Sequence, residues 1–185
     1  LFSTKSNFFP SPKPIDWRPT YSINDKIPFG MYVFDNEIGG LLKNQKIERV
    51  SAVTPYEFLD SKYDADTTVQ TYKIRGTFLN ITEFGNIDEA SITEIFYFVS
   101  HGNNAFLSMK TFPNSLLDSL KVDYKSDFNA LDSTSLWMGN KKLNSKKYHL
   151  TEGISENYFS NIFNLNTPVL GDQGNNIKEK RINFL

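Results

Sequence analysis

The chain has 185 residues, of which 39% are hydrophobic and 22% charged, and its 20 basic and 21 acidic side chains leave a net charge of −1. This composition excludes wholesale disorder, and the near-neutral charge argues against nucleic acid as a partner. The sequence contains no cysteine, which excludes disulfides, thiolate metal sites and a cysteine nucleophile. No apolar run approaches the roughly 20 residues that a membrane-spanning helix needs. These numbers favour one folded domain.

The N-terminal stretch is rich in proline and polar residues. Pro10, Pro12, Pro14 and Pro19 disfavour regular structure there. The pattern predicts an extended linker over residues 1–20, like a tether that follows an earlier segment, and a domain over residues 21–185 that continues beyond this chain.

Helix and strand signals alternate between residues 28 and 120. Thr54 and Glu57 have the spacing of a capping box, Asn86 opens an acidic first turn, and Gly102 suits a helix end. The predicted elements are a helix over 28–42, a strand over 47–53, a helix over 54–62, a strand over 77–81, a helix over 86–101, a strand over 105–109 and a short helix around 116–120. Strands joined by helices through short connections form right-handed units. The order therefore predicts an α/β fold with a parallel sheet covered by helices.

The pattern changes after residue 121, where β-branched and aromatic runs are divided by Asn, Gly and Ser. The predicted strands cover residues 135–138, 147–151, 157–162, 168–170 and 181–185. We expect them to form antiparallel strands that extend the parallel sheet or flank it.

Two blocks of the sequence carry a resemblance to a known family. Residues 16–21 read Asp-Trp-Arg-Pro-Thr-Tyr, and residues 98–103, at the end of a predicted helix, read Phe-Val-Ser-His-Gly-Asn. Over roughly residues 14–185 the chain resembles the uncharacterised family known as domain of unknown function 4350 (DUF4350), in the form seen in Bacteroidetes. The resemblance implies a flavodoxin-like, class I glutamine amidotransferase-like fold, which is a doubly wound parallel sheet, here with C-terminal antiparallel strands.

The resemblance also implies a location. Proteins of this family look like membrane-anchored proteins of the cell envelope. By this resemblance the chain is a domain on the periplasmic side of a bacterial inner membrane, held by segments outside the sequence given. The resemblance also implies that the segment before the tether over residues 1–20 is a membrane anchor. Its expected partner is an envelope protein or a small ligand.

The chain departs from the amidotransferase pattern at the catalytic position, because amidotransferases use a cysteine nucleophile and this chain has none. We therefore expect a non-catalytic protein- or ligand-binding domain. The alternative is a hydrolase or transferase in which Glu83 or Asp25 works with His101. The chain has two histidines, and the other is His149. A carbohydrate-binding module is a third possibility, favoured only by the 15% aromatic content. No metal-ligand spacing or nucleotide-binding motif is present, so neither a metal nor another cofactor is expected.

Ligands of open α/β sheets bind beyond the carboxyl ends of the strands. Loop residues at those ends, with two before the first helix, define a candidate crevice: Asp25, Lys26, Thr54, Glu83, Phe84, Lys110 and Thr111. Three aromatic residues near the linker, Trp17, Tyr21 and Phe29, form a candidate docking surface or pin the entering chain to the core.

Overall fold

The computed structural model describes residues 12–66, 68, 70–127, 133–140, 142–144, 146–151, 156–162, 166–174 and 180–185. The chain forms two compact units, Leu1–Lys46 and Ile47–Leu185. The division into a linker over 1–20 and a domain over 21–185 stays a prediction, and residues 1–11 of that linker lie outside the described part. None of the helices in the described part has the length and apolar character that crossing a bilayer requires.

Residues 12–46 of the first unit contain one helix, α1 (Tyr32–Leu41), which confirms the helix predicted over 28–42. The helix begins later than predicted because the preceding residues are hydrogen-bonded as turns. The Gly30 amide donates to Ile27 O and the Met31 amide to Ser22 O, each at 2.8 Å. Pro28 therefore lies in a turn instead of the first helical turn.

The second unit begins with alternating helices and strands, most of them predicted. These elements are α2 (Pro55–Asp60), β1 (Tyr63–Asp64), β2 (Thr71–Tyr72), β3 (Thr77–Phe84), α3 (Glu89–Ser100), β4 (Asn104–Thr111) and α4 (Asn114–Leu120). β3 and β4 pair in parallel with Phe78 opposite Ala105. The predicted capping box is confirmed, since Thr54 accepts from the Glu57 amide and the Glu57 carboxylate accepts from the Thr54 amide at 2.8 Å.

The ends of α3 show how capping chemistry sets a helix. Its N-cap is Asp88 and not Asn86, because the Asp88 carboxylate accepts the Ser91 amide at 2.9 Å. At the other end, Gly102 has φ +82° and closes the helix as predicted. One face of α3 packs on β4, and α2 packs on α3. Their apolar side chains form a shared core, whose buried members are Leu59, Tyr72, Ile87, Ile92, Ile95, Phe98, Met109 and Leu116.

The described residues after α4 form an antiparallel sheet with its connections. Its six strands are β5 (Asp123–Asp127), β6 (Thr134–Met138), β7 (Lys147–Leu150), β8 (Glu156–Ser160), β9 (Gly171–Gly174) and β10 (Arg181–Phe184), in the spatial order β5-β8-β10-β9-β6-β7. The antiparallel strands near 135–138, 147–151, 157–162 and 181–185 agree with the prediction. The strand predicted over 168–170 is wrong, and β9 follows it directly. β5 was missed because its sequence is polar and it is a strand through its five-residue pairing with β8.

The predicted flavodoxin-like, amidotransferase-like doubly wound parallel sheet is wrong. In the described part of the chain, parallel pairing is confined to β3 and β4, and the C-terminal strands form a separate sheet instead of extending that pair. The strand predicted over 47–53 is not formed, and Val50 and Val53 are 40% and 48% exposed. A β-branched run becomes a strand only where another strand satisfies its backbone groups, and a local pattern does not reveal that partner.

Candidate functional site

The carboxyl ends of β3 and β4 bring four of the predicted crevice residues together. Phe84 lies opposite Thr111 in the parallel register. On the other face, Lys110 Nζ lies 3.4 Å from Glu83 Oε1, and the Glu83 side chain is 17% exposed. Each of these two charges thus has a partner of opposite sign. The resulting surface is polar but carries no net charge from this pair.

Thr54, the fifth crevice residue, acts as a helix cap. Its hydroxyl both accepts from the Glu57 amide and lies 3.1 Å from the Glu57 carboxylate. The first turn of α2 is tied to α3, because the Tyr56 amide donates to Ser91 Oγ at 3.1 Å. The Ser91 hydroxyl and amide both donate to Asp88 and hold the pKa of that carboxyl below its usual range. Thr54 therefore stabilises the start of α2.

Asp25 and Lys26 belong to the first unit. The Asp25 amide donates to Ser22 O, and Lys26 Nζ lies 4.3 Å from the centre of the Tyr32 ring. Both residues thus take part in the turns and the start of α1. Their membership of a crevice with residues of the second unit stays a prediction.

The three predicted docking aromatics do cluster within the first unit. The Phe29 ring lies 6.2 Å from Trp17 and 6.3 Å from Tyr21, measured between ring centres. Such edge and tilted contacts are the usual packing of aromatic side chains. Trp17 is 40% exposed, so part of its ring is accessible. The cluster is compatible with either of the two predicted roles.

His101 does not meet Glu83, one of the two carboxylates predicted to assist it. Its Nδ1 lies 2.8 Å from Tyr97 O and 3.2 Å from Ser100 Oγ at the end of α3. That end lies beside the start of β4, whereas Glu83 lies at the far end of the strand pair, about 20 Å away at 3.3 Å per residue. His149 contacts Ser135 Oγ at 3.2 Å on β6. Among the contacts of the described residues, neither histidine has a carboxylate partner.

A cluster of tyrosines surrounds His101 and fastens the β1–β2 hairpin to α3. The hydroxyls of Tyr63 and Tyr97 are 2.8 Å apart, and Tyr72 donates to Glu94. The hydrogen bond with Tyr97, assisted by burial, raises the pKa of Tyr63 to about 12. Burial and then the Glu94 hydrogen bond raise the pKa of Tyr72. Ring centres here are 4.2–6.1 Å apart, so the rings fill the cluster and leave no room for a ligand.

A larger concavity lies along β4, and we name it the β4 groove. It has a volume of about 520 Å³ and runs between β4 residues 104–109, the helices α3 and α4 on one side, and strands β8 and β10 on the other. Val99 and Leu120 represent the helical wall, and Phe159 and Phe184 the wall formed by the C-terminal sheet. The volume falls in the usual range of ligand sites.

The β4 groove follows an open strand edge. Six consecutive residues of β4 line it, although successive side chains of a strand point to opposite faces. A groove touching all six therefore runs beside the backbone. β4 pairs with β3 on one side, and in the described part of the chain no strand pairs with its other side.

The hydrogen bonds identify which backbone groups face the groove. The Asn104 amide donates to Gly76 O, so Asn104 and the alternate residues after it, Phe106 and Ser108, direct their polar groups to β3. Ala105 and Leu107 direct theirs to the opposite edge. The ladder is interrupted at Lys110, before Thr111 O accepts from the Gly85 amide. Lys110 O accepts from the Tyr124 hydroxyl and from Asn157 Nδ2, which closes the groove at that end.

The lining of the groove is apolar and uncharged. None of its residues, all of which lie in the described ranges, is an aspartate, glutamate, lysine, arginine or histidine. Its polar side chains are those of asparagine, serine and tyrosine. Such a surface favours an uncharged apolar ligand, because a buried charge without a partner is costly.

Sequence reasoning missed the β4 groove. The run around 105–109 was interpreted as a strand buried within a sheet, which implies partners on both edges. The one available signal was Ser108, a polar residue in the middle of that apolar run. The open edge itself depends on where the C-terminal sheet packs, and no local pattern encodes that.

Comparison of the chain with models of known protein families, with curated proteins and with solved structures finds no match.

Proposed function

We propose that the second compact unit is a non-catalytic binding domain and that the β4 groove is its ligand site. The groove is the observation that carries this proposal, since it combines a volume of about 520 Å³ with an apolar, uncharged lining. Exposed apolar concavities of this size are commonly functional on soluble domains.

The positions of the titratable groups support binding over catalysis. Glu83 pairs with Lys110, and His101 is held by Tyr97 O at the other end of the strand pair. A general base must lie within hydrogen-bond reach of the group that it activates. Glu83 and His101 do not contact each other, and neither residue lines the groove.

We further propose that the domain works on the periplasmic side of a bacterial inner membrane, bound to an envelope protein or a small ligand. The resemblance of residues 16–21 and 98–103 to the DUF4350 family is the support for this location. Fractionation of cells expressing the full-length protein tests it. We expect the protein in the inner-membrane fraction and accessible to protease added to spheroplasts, and a protein in the cytosolic fraction would contradict the proposal.

An apolar fluorescent dye such as Nile red tests the groove directly. Leu120 is 44% exposed at the helical wall, so Leu120→Trp adds a large ring to the groove without disturbing the core. Leu79→Trp is the matched control, because Leu79 is 40% exposed on β3 and does not line the groove. We expect Leu120→Trp to weaken dye binding at least tenfold and Leu79→Trp to leave it within twofold. Equal dye binding by the unmodified chain and both variants would contradict the proposed site.

A further inference from the structure

We infer that the ligand of the β4 groove is an extended polypeptide segment of a partner protein, which adds to β4 as a further strand and is uncharged and apolar on both of its faces. This inference rests on the proposed function and names the chemistry of the partner.

The open edge of β4 is the first reason. The amide and carbonyl groups of Ala105 and Leu107 face the groove, and in the described part of the chain no backbone or side-chain group bonds to them. An added strand supplies donors and acceptors at the same spacing. A lipid tail or other hydrocarbon would cover these groups without bonding to them, which costs free energy. The edge therefore favours a polypeptide over a hydrocarbon.

The two walls are the second reason. Side chains of an added strand alternate between the two faces of the sheet. On the face of β4 that carries the shared core they meet α3 and α4, through Val99 and Leu120. On the other face they meet the C-terminal sheet, where the Phe184 ring lies 5.8 Å from that of Phe106. Both rows are enclosed by apolar groups, so the bound segment has a continuous apolar run instead of an alternating one.

The closed end sets the length of the segment. Tyr124 and Asn157 already occupy Lys110 O, so an added strand stops before that carbonyl. The six residues of β4 that line the groove therefore match a run of about six residues. The lining carries no charged side chain, and the segment correspondingly has none in this run.

Three synthetic peptides test the inference on the full chain. All carry two lysines at each end for solubility. The central six residues alternate valine and leucine in the first peptide, and valine and serine in the second, which is apolar on one face only. The third repeats the first with N-methyl groups on alternate amides, which removes the backbone N–H donors along one edge of the peptide. We expect the first peptide to bind at least tenfold more tightly than either of the others, measured by fluorescence anisotropy.

Proline substitutions test the edge itself. Ala105→Pro removes an amide that faces the groove, and extended backbone at a sheet edge tolerates proline. Leu79→Pro is the matched control, because the Leu79 amide faces the opposite edge of the same strand pair, as the bond from the Asn104 amide to Gly76 O shows. We expect Ala105→Pro to weaken binding of the first peptide at least tenfold and Leu79→Pro to leave it within threefold. Circular dichroism checks that both variants fold.

Hydrogen exchange on the unmodified chain gives a measurement that does not depend on variants. On binding of the first peptide, hydrogen exchange at the amides of Ala105 and Leu107 should slow at least tenfold. Equal binding of the first two peptides would overturn the requirement for two apolar faces, and unchanged exchange at Ala105 and Leu107 would overturn strand addition. If no peptide binds but Leu120→Trp still weakens Nile red binding, this inference is overturned and the proposed function stands. Nile red binding unaffected by Leu120→Trp would instead remove the proposed function.

Discussion

The β3-α3-β4 unit and the C-terminal sheet bury different kinds of side chain. In the first, the most buried residues are apolar, with Phe98 2% exposed and Ile92 and Ile95 close to it. In the second, they include polar groups such as Thr134, Gln173 and Asp172, which is fully buried on β9. Apolar burial stabilises in proportion to area, whereas a buried polar group stabilises only when it has a partner.

The difference teaches where each region is vulnerable. The apolar core gains stability from many small contacts, so its response to a substitution scales with the volume removed. In the C-terminal sheet, particular pairs hold two of the buried polar side chains, Gln173 and Asp172. Gln173 Nε2 donates to Asn157 O at 2.8 Å, and Lys180 Nζ lies 3.0 Å from Asp172 Oδ2. Loss of one partner there leaves a buried polar group without compensation.

The largest effect is expected from Phe98→Ala. Phe98 lies at the centre of the shared core, and removal of its ring leaves a cavity between α3 and β4. The free energy of unfolding should fall by about 3–5 kcal/mol. Urea denaturation of the purified chain measures it. Val99→Ala, on the exposed side of the same helix, should change stability by less than about 1 kcal/mol, and similar losses for the two variants would break the contrast.

The next effect concerns the charged pair of the C-terminal sheet. Lys180→Ala removes the cation beside Asp172 and leaves a buried carboxylate uncompensated, so stability should fall by about 3 kcal/mol. The double variant Asp172→Asn with Lys180→Ala should recover most of this loss, because the uncompensated charge is gone. Lys73→Ala, at an exposed lysine, is the control for loss of one positive charge. If Lys180→Ala lowers the stability no more than Lys73→Ala does, Lys180 does not compensate the buried charge of Asp172.

The smallest effect is a pH dependence at the hairpin that joins α3. The pKa of Tyr63 is raised to about 12, chiefly by its hydrogen bond with Tyr97, against about 10 in an unfolded chain. Because the folded pKa is the higher one, this contribution to stability is complete below about pH 10 and is lost as the pH rises towards 12. Tyr97→Phe should lower the pKa of Tyr63 towards 10 in a spectrophotometric titration of the phenolate. An unchanged titration of Tyr63 would contradict the assigned cause.

Helix ends could be predicted from the sequence where a few neighbouring residues supply the cap. Thr54 and Glu57 form the predicted capping box, and Gly102 closes α3. The same reasoning placed the start of α3 at Asn86, whereas Asp88 is its N-cap, because Asn and Asp both suit the position and only the folded turn decides which side chain accepts the Ser91 amide. Errors of this kind displace a boundary but leave the element in place.

The candidate site was only partly accessible from the sequence. The convergence of Glu83, Phe84, Lys110 and Thr111 followed from parallel pairing of two strands, which was predicted and is present. The β4 groove was not predicted, because its far wall comes from Phe159 and Phe184, more than 50 residues further along the chain than Phe106. Residues so distant in sequence carry no shared periodicity.

By itself the sequence determined the presence of the helices, the capping box of α2, the glycine that closes α3, the β3-α3-β4 unit and the absence of a cysteine nucleophile, because these depend on residue types and on neighbours within a few positions. Only the tertiary structure decided that residues 47–53 form no strand, that β5 does, and that β4 keeps one open edge. Strand pairing joins backbone groups that are remote in sequence and are chemically the same in every residue. The choice among possible partners is therefore made by packing, which a local pattern does not contain.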